Sequence, residues 1–209
     1  VCSSDLQKEI IMAIGSCSKI TAGLSYTCTT GAKIGGVASR MYIANFDDIA
    51  SYTQDGISKV IATIVMESAK TFFKFVGEAE KHSVTYDAPD SEANYSPWEV
   101  KLNGVFHCDT TLDREKLDAL KDGGRYVVVI ERYAGYMEVL GIDVNSGSVS
   151  DPEGGLYWAG GNGGSGIMKS DDTSFKIALK GKSSHIPKKF LPSGGTLASA
   201  ITYMDGISA

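Results

Sequence analysis

The run Arg125-Tyr126-Val127-Val128-Val129-Ile130-Glu131-Arg132 constrains the fold of this chain more than any other segment. Five consecutive apolar residues, four of them β-branched, lie between Gly123-Gly124 and the turn Tyr133-Ala134-Gly135. A strand with one buried face alternates apolar and polar residues, because successive side chains point to opposite faces. A strand that is apolar at every position needs cover on both faces. This segment is therefore expected to be central, with packed material above and below. Tyr136 to Ile142 follows across the turn and is expected to pair with it as a hairpin.

The flanking segments supply candidates for that cover. Arg40 to Phe46, Thr71 to Gly77 (with Phe73 and Phe75 on one face), Lys81 to Tyr86 and Thr173 to Lys180 alternate as strands do. Trp98 to Asp109 is the longest such stretch, with Trp98, Val100, Leu102 and Phe106 on one face and Gly104 marking a bulge or bend. Ile57 to Met66 favours strand by its β-branched content. Ile49 to Gly56 reads as a loop or a short helical turn, and Leu156-Tyr157-Trp158 as a short strand within loop.

One segment is a clear helix, Thr111 to Leu120. Thr110 or Thr111 can cap it, Asp113 and Glu115 complement its N-terminal dipole, and Gly123-Gly124 ends it. Leu112, Leu117 and Leu120 are expected to form its buried stripe. Thr196 to Met204 is a short helix or strand. The order of strands, one helix and more strands, without βαβ alternation, predicts a mostly-β or α+β fold. The expected form is an antiparallel β-sandwich or barrel with one flanking helix at about 111–121.

Residues 1–11 are expected to be non-native. Val1-Cys2-Ser3-Ser4-Asp5-Leu6 back-translates to the end of a common sequencing adapter read from a GTG start, and Met12 is then the natural start. Residues 12–36, rich in Ser, Thr, Gly and Lys with no helical period, read as an extended N-terminal arm. Residues 37–209 read as a single β-rich domain with long loops at 77–97 and 145–170.

Composition narrows the function classes. Gly is frequent at 24 residues and Pro scarce at 5, which suits many tight turns. A net charge of −5 argues against a protein that wraps nucleic acid by neutralising phosphates. No apolar stretch approaches the ~20 residues of a membrane-spanning helix. With no export signal, synthesis in a reducing cytoplasm is expected, and Cys2, Cys17, Cys28 and Cys108 are expected to be thiols.

Each candidate motif has a structural reading that outweighs the chemical one. Gly161-Asn162-Gly163-Gly164-Ser165-Gly166 matches G-x-G-x-x-G, but Ile167 to Asp172 does not open a helix, so a surface loop is expected rather than a cofactor site. Cys17 and Cys28 lack the short paired spacing of zinc ligands, and His107-Cys108 are adjacent on a strand and point apart. Asp47-Asp48 and Asp171-Asp172 lack the alternation of a calcium loop. The nucleophile elbow and the phosphate loop are both missing. No catalytic, cofactor-binding or metal residue is expected, and no enzymatic activity. Lys180, Lys182, His185, Lys188 and Lys189 form a local basic cluster, suited to a solvated loop or to charge complementarity between subunits.

Three stretches carry a likeness when taken in order. They are Cys17-Ser18-Lys19-Ile20-Thr21-Ala22-Gly23-Leu24 with Cys28 and Gly35-Gly36-Val37; Tyr42-Ile43-Ala44-Asn45-Phe46-Asp47-Asp48-Ile49; and Tyr126 to Glu131 with Gly141-Ile142. From about Met12 onward the chain resembles tail-tube-like structural proteins of tailed bacteriophages that infect gut bacteria. The Gly-rich 154–166 segment departs from that pattern. The resemblance implies a non-enzymatic virion protein of the tail that assembles with itself into stacked, hexameric rings. It further implies other tail proteins as partners, and DNA passing through the lumen without specific binding. The alternative is another virion component, or an immunoglobulin-like or carbohydrate-binding decoration module presenting Tyr95, Trp98, Tyr157 and Trp158.

Overall fold

The computed structural model describes residues 35–55, 60–89, 97–107, 110–142, 154–164, 174–193 and 195–209. The expectations for residues 1–11 and for most of the 12–36 arm lie outside these residues, as do all four cysteines, Tyr95 and Asp171-Asp172.

Among the described residues eleven strands and two helices follow in order: β1 (Val37–Asn45), β2 (Ile49–Gln54), β3 (Ile61–Met66), β4 (Phe73–Val76), β5 (Ser83–Asp87), β6 (Trp98–His107), α1 (Thr111–Asp122), β7 (Arg125–Arg132), β8 (Tyr136–Leu140), β9 (Leu156–Gly163), β10 (Ser174–Ser183), β11 (Lys188–Phe190) and α2 (Leu197–Gly206). The mostly-β, α+β expectation holds. The strands form one sheet in the order β2-β3-β11-β8-β7-β9-β10-β6-β5, with β1 on β7 and β4 on β1. All pairings between strands are antiparallel except β11 with β3, so the sheet is mixed.

β7 is the hub. Its side chains divide between two cores by strict alternation: Tyr126, Val128 and Ile130 enter one, Val127 and Val129 the other. β1 alternates in the same way, with Met41 and Ile43 in the first core and Tyr42 and Ala44 in the second. Leu102, Phe106, Leu156, Ile177 and Leu179 complete the first core from β6, β9 and β10. Tyr52, Ile61, Ile64, Phe190 and Met204 complete the second from β2, β3, β11 and α2. Each fully buried Val or Ile contributes about 1.5–3 kcal/mol, so the run stabilises two layers at once.

The sheet forks at β7. One edge carries β1. The other carries β8 along Val128 to Arg132 and then β9 at Arg125 and Tyr126. Gly141 and Gly155 make the handover, with φ of +89° and +94° and a Gly155 N–H donated to the Gly141 carbonyl at 2.8 Å. A Cβ on Gly141 would stand 2.6 Å from the Tyr126 carbonyl oxygen. Only glycine tolerates both the crowding and the positive φ. From this fork β9, β10, β6 and β5 curl over the first core, and a bridge between Val37 and His82 joins the far end back to β1.

Several expectations are corrected. Ile49 to Gln54 is a strand, preceded by a 3-10 turn at Phe46–Asp48. Its buried Ile49 and Tyr52 are three residues apart because the register shifts between them, and that spacing imitates a turn. Gly104 makes no bulge, since the β6–β10 register runs unbroken from His107 to Trp98. β5 falls on the expected strand Lys81 to Tyr86, inside the long 77–97 connection, and β9 extends the expected short strand Leu156–Trp158 as far as Gly163. Gly161 to Gly163 belong to β9 and pair with β10 instead of forming a surface loop. Thr196 to Met204, read as a short helix or strand, falls in a second helix, α2, held by a capping box between Thr196 and Ser199.

Thr110 caps α1, its hydroxyl accepting from the Asp113 N–H at 3.2 Å, and the Tyr126 hydroxyl donates to the Leu120 carbonyl at 2.6 Å at the other end. Leu117 and Leu120 are buried, but Leu112 is 61% exposed. Leu112 precedes Leu117 by five residues, about 140° around a helix of 3.6 residues per turn, so the two cannot share a stripe. Leu117→Ala is expected to cost about 2–5 kcal/mol in denaturant unfolding, and Leu112→Ala less than about 0.5 kcal/mol. Equal costs would show that the helix is rotated from this orientation.

Candidate functional site

β4 is a four-residue strand on the outside of β1, with Arg40 opposite Val76 and Ile43 opposite Phe73. Just past its end, the Gly77 N–H donates to the Ser39 carbonyl at 2.8 Å. Antiparallel pairs alternate between bonded and non-bonded positions. Phe75 and Phe73 therefore direct their backbone groups at β1, while Lys74 and Val76 direct theirs outward. At Phe72 the outward groups are taken by the C-terminal segment: the Phe72 N–H donates to Ile207 at 3.0 Å and the Ala209 N–H donates to Phe72 at 2.9 Å. Among the described residues no strand continues that pairing along Lys74 and Val76. Phe73 is 51% and Val76 64% exposed. An exposed strand edge with large apolar side chains is a template for pairing.

Beside this edge lies an open groove of about 610 Å³ between β4 and α1. Ile43, Phe106, Leu117, Leu120 and Tyr126 line its apolar floor, and Lys74, His107, Asp113 and Lys116 stand on its rim. These rim charges are satisfied locally. Lys74 Nζ lies 2.8 Å from Asp205 Oδ1, which also accepts from the Tyr42 hydroxyl at 2.7 Å. Lys74 and then Tyr42 hold the Asp205 carboxyl below its ordinary range, while burial pushes the Tyr42 hydroxyl up. His107 Nε2 lies 2.9 Å from Glu78 Oε2, and Lys116 Nζ lies 3.3 Å from Asp113 Oδ1. Thr110 and Lys116 lower the Asp113 pKa. The groove therefore offers apolar surface and unpaired backbone with its charges already matched. Such a site suits an uncharged, extended segment better than an ion or a charged small molecule.

The residues singled out in the sequence are dispersed. Asp48 bonds to Asn45 and Lys70, and Asp47 pairs with Arg125, so the two carboxylates work separately. Trp158 and Phe175 pack on the first core beside Gly161 and Gly163. Ser165 and Gly166 lie outside the described residues. Of Trp98, Tyr157 and Trp158, only Tyr157 is openly exposed. In the basic cluster Lys180 sits opposite Lys101 and over the Tyr157 ring, Lys182 sits opposite Glu99, and Lys189 lies 4.3 Å from the Tyr136 ring centroid. The cluster thus splits between two strands. Among the described residues no three His, Cys, Asp or Glu side chains converge as metal ligands do.

Two buried polar groups escaped the sequence reading. Glu138, on β8, points into the first core and is 5% exposed. The Tyr86 hydroxyl donates to it at 2.7 Å and Arg132 Nε lies 3.7 Å away, tying β5 to β8. Burial raises its pKa and that of Tyr86. A Glu in an otherwise alternating strand, Tyr136-Met137-Glu138-Val139-Leu140, looks like an ordinary outward position, which hid it.

His82 is 3% exposed, and its Nδ1 accepts the Val105 N–H at 3.1 Å. Nε2 then carries the proton, and it has no partner among the described residues. No protein-family model, curated protein or solved structure matches this chain.

Burial lowers the His82 pKa. The unfolded chain takes up this proton near pH 6.5 and the folded chain only below that. Stability from His82 is therefore complete above about pH 6.5 and declines as pH falls below it. Glu138, raised by burial, acts in the opposite direction at lower pH, so the wild-type profile alone is a sum. Urea midpoints at pH 7.5 and 5.5 for wild type and His82→Gln isolate the histidine. The wild type is expected to lose more stability on acidification than the variant, and parallel losses would contradict the assignment.

Proposed function

We propose that this protein is a non-enzymatic structural subunit of a tailed-phage virion, a tail-tube-type subunit that assembles with itself into stacked rings around a DNA conduit. The observation that carries this reading is the exposed β4 edge with its charge-matched apolar groove. A subunit that stays monomeric gains nothing from large apolar side chains on an unpaired strand edge, whereas a ring or tube covers them. The resemblance in residues 17–49 and 126–142 supports the same role and points to six subunits per ring and other tail proteins as further partners. A net charge of −5 suits a conduit that must not grip DNA, since like charges repel. Among the described residues no helix is long and apolar enough to cross a membrane. The decoration-module alternative is less favoured, since of Trp98, Tyr157 and Trp158 only Tyr157 is openly exposed.

The test is self-association of the full chain, followed by light scattering across a concentration series and by negative-stain microscopy. Rings or tubes with sixfold end views are expected at high concentration. A chain that remains strictly monomeric throughout the series would overturn the reading.

A further inference from the structure

We infer that the β4 edge and its groove are filled by residues 20–28 of a second copy of this chain, added to the sheet as an extra strand. The inference rests on the self-assembly reading above, which is what makes the donor a second copy.

Three observations converge on this occupant. First, the acceptor is a strand edge. The backbone groups of Lys74 and Val76 face outward, past the point where Ile207 and Ala209 occupy Phe72. Strand addition satisfies such groups, and side-chain pockets beside the edge then set which segment is accepted. Second, the groove is apolar and its rim charges are already paired, Lys74 with Asp205 and Asp113 with Lys116, while His107 shares a hydrogen bond with Glu78. A charged segment would find no counterion there and would lose hydration. Third, Ile20-Thr21-Ala22-Gly23-Leu24-Ser25-Tyr26-Thr27-Cys28 alternates with period two, and no charged residue occurs from Ile20 to Ala32. Ile20, Ala22, Leu24, Tyr26 and Cys28 form one row, and Thr21, Gly23, Ser25 and Thr27 the other. As a strand, this segment has an apolar face for the groove and a hydroxyl-rich face for water. Nine residues extend about 30 Å, enough to cover β4 and run on past it beside α1.

The test uses full-length protein in three variants. Val76→Pro removes an outward N–H without removing a bond to β1, and proline is tolerated on edge strands for that reason. Leu24→Asp places a charge in the apolar row of the donor, and Ser25→Asp places the same charge in the polar row. Thermal melts establish that each variant is folded, and light scattering gives the critical concentration for assembly. Val76→Pro and Leu24→Asp are each expected to raise that concentration at least about tenfold, the effect of losing roughly one hydrogen bond or apolar contact at the interface. Ser25→Asp is expected to shift it less than about twofold, well under that same single-contact loss. Mixed together, Val76→Pro supplies an intact donor and Leu24→Asp an intact acceptor, so sedimentation should show a dimer that grows no further.

If the wild type assembles and both Val76→Pro and Leu24→Asp assemble equally well, the strand-addition inference is overturned while the self-assembly reading stands. Should Leu24→Asp and Ser25→Asp raise the critical concentration equally, the facial assignment fails and the inference with it. A wild type that never assembles removes the self-assembly reading itself. If Leu24→Asp then exposes the Lys74 and Val76 amides to hydrogen exchange, the donor is the same chain, and the second-copy assignment is overturned.

Discussion

Burial of β7 on both faces is the constraint from which the rest of the architecture follows. Tyr126, Val128 and Ile130 require one core and Val127 and Val129 another, so packed layers are needed on both faces of β7. The chain meets the demand by forking its sheet. β8 and β9 share one edge of β7 in succession, and the glycine pair at 141 and 155 lets the backbone turn from one to the other. Beyond the fork, β9, β10, β6 and β5 fold over one face, while β2, β3, β11 and α2 cover the opposite face. The Tyr86–Glu138 hydrogen bond and the Val37–His82 bridge then fasten the curled end to the central strands.

The candidate site is a by-product of the same arrangement. β1 is nine residues long and is paired along most of its length to β7, but on its outer edge Arg40 to Ile43 are covered by the short strand β4. Past β4, the gap between β1 and α1 opens into the groove. Lys74 anchors β4 to α2 through Asp205, and Tyr42 reaches the same carboxylate from the core side. These bonds hold the strand in place without covering its outer edge. They also consume the charges that would otherwise direct the groove toward an ionic ligand.

Much of this was legible in the sequence, and the parts that were not have identifiable causes. β7, the β7–β8 hairpin, the long β6 and α1 with its threonine cap follow from composition, alternation and capping chemistry that are local to each segment. β2 was hidden because a register shift puts Ile49 and Tyr52 on one face at a spacing that alternation does not predict. The continuation of β9 from Ala159 to Gly163 was hidden because glycine carries no side-chain pattern, and its strand identity comes from pairing with β10 and from Trp158 packing beside Gly161. Leu112 was misplaced by counting apolar residues without their angular positions. The edge character of β4 is a property of the whole sheet. Thr71 to Gly77 reads as a strand in either case, and no local pattern tells whether one neighbour or two will pair with it. Glu138 and His82 are likewise defined by residues fifty-two and twenty-three positions away in sequence.

Backbone amide hydrogen exchange on β4, followed before and after assembly, tests the central claim most directly. In the monomer the Phe75 amide, bonded to β1, is expected to be protected while those of Lys74 and Val76 exchange rapidly. After assembly all three are expected to be protected, because an added strand supplies the missing acceptors. Lys74 and Val76 amides that exchange as fast in the assembled state as in the monomer would show that the β4 edge is not where the subunits meet.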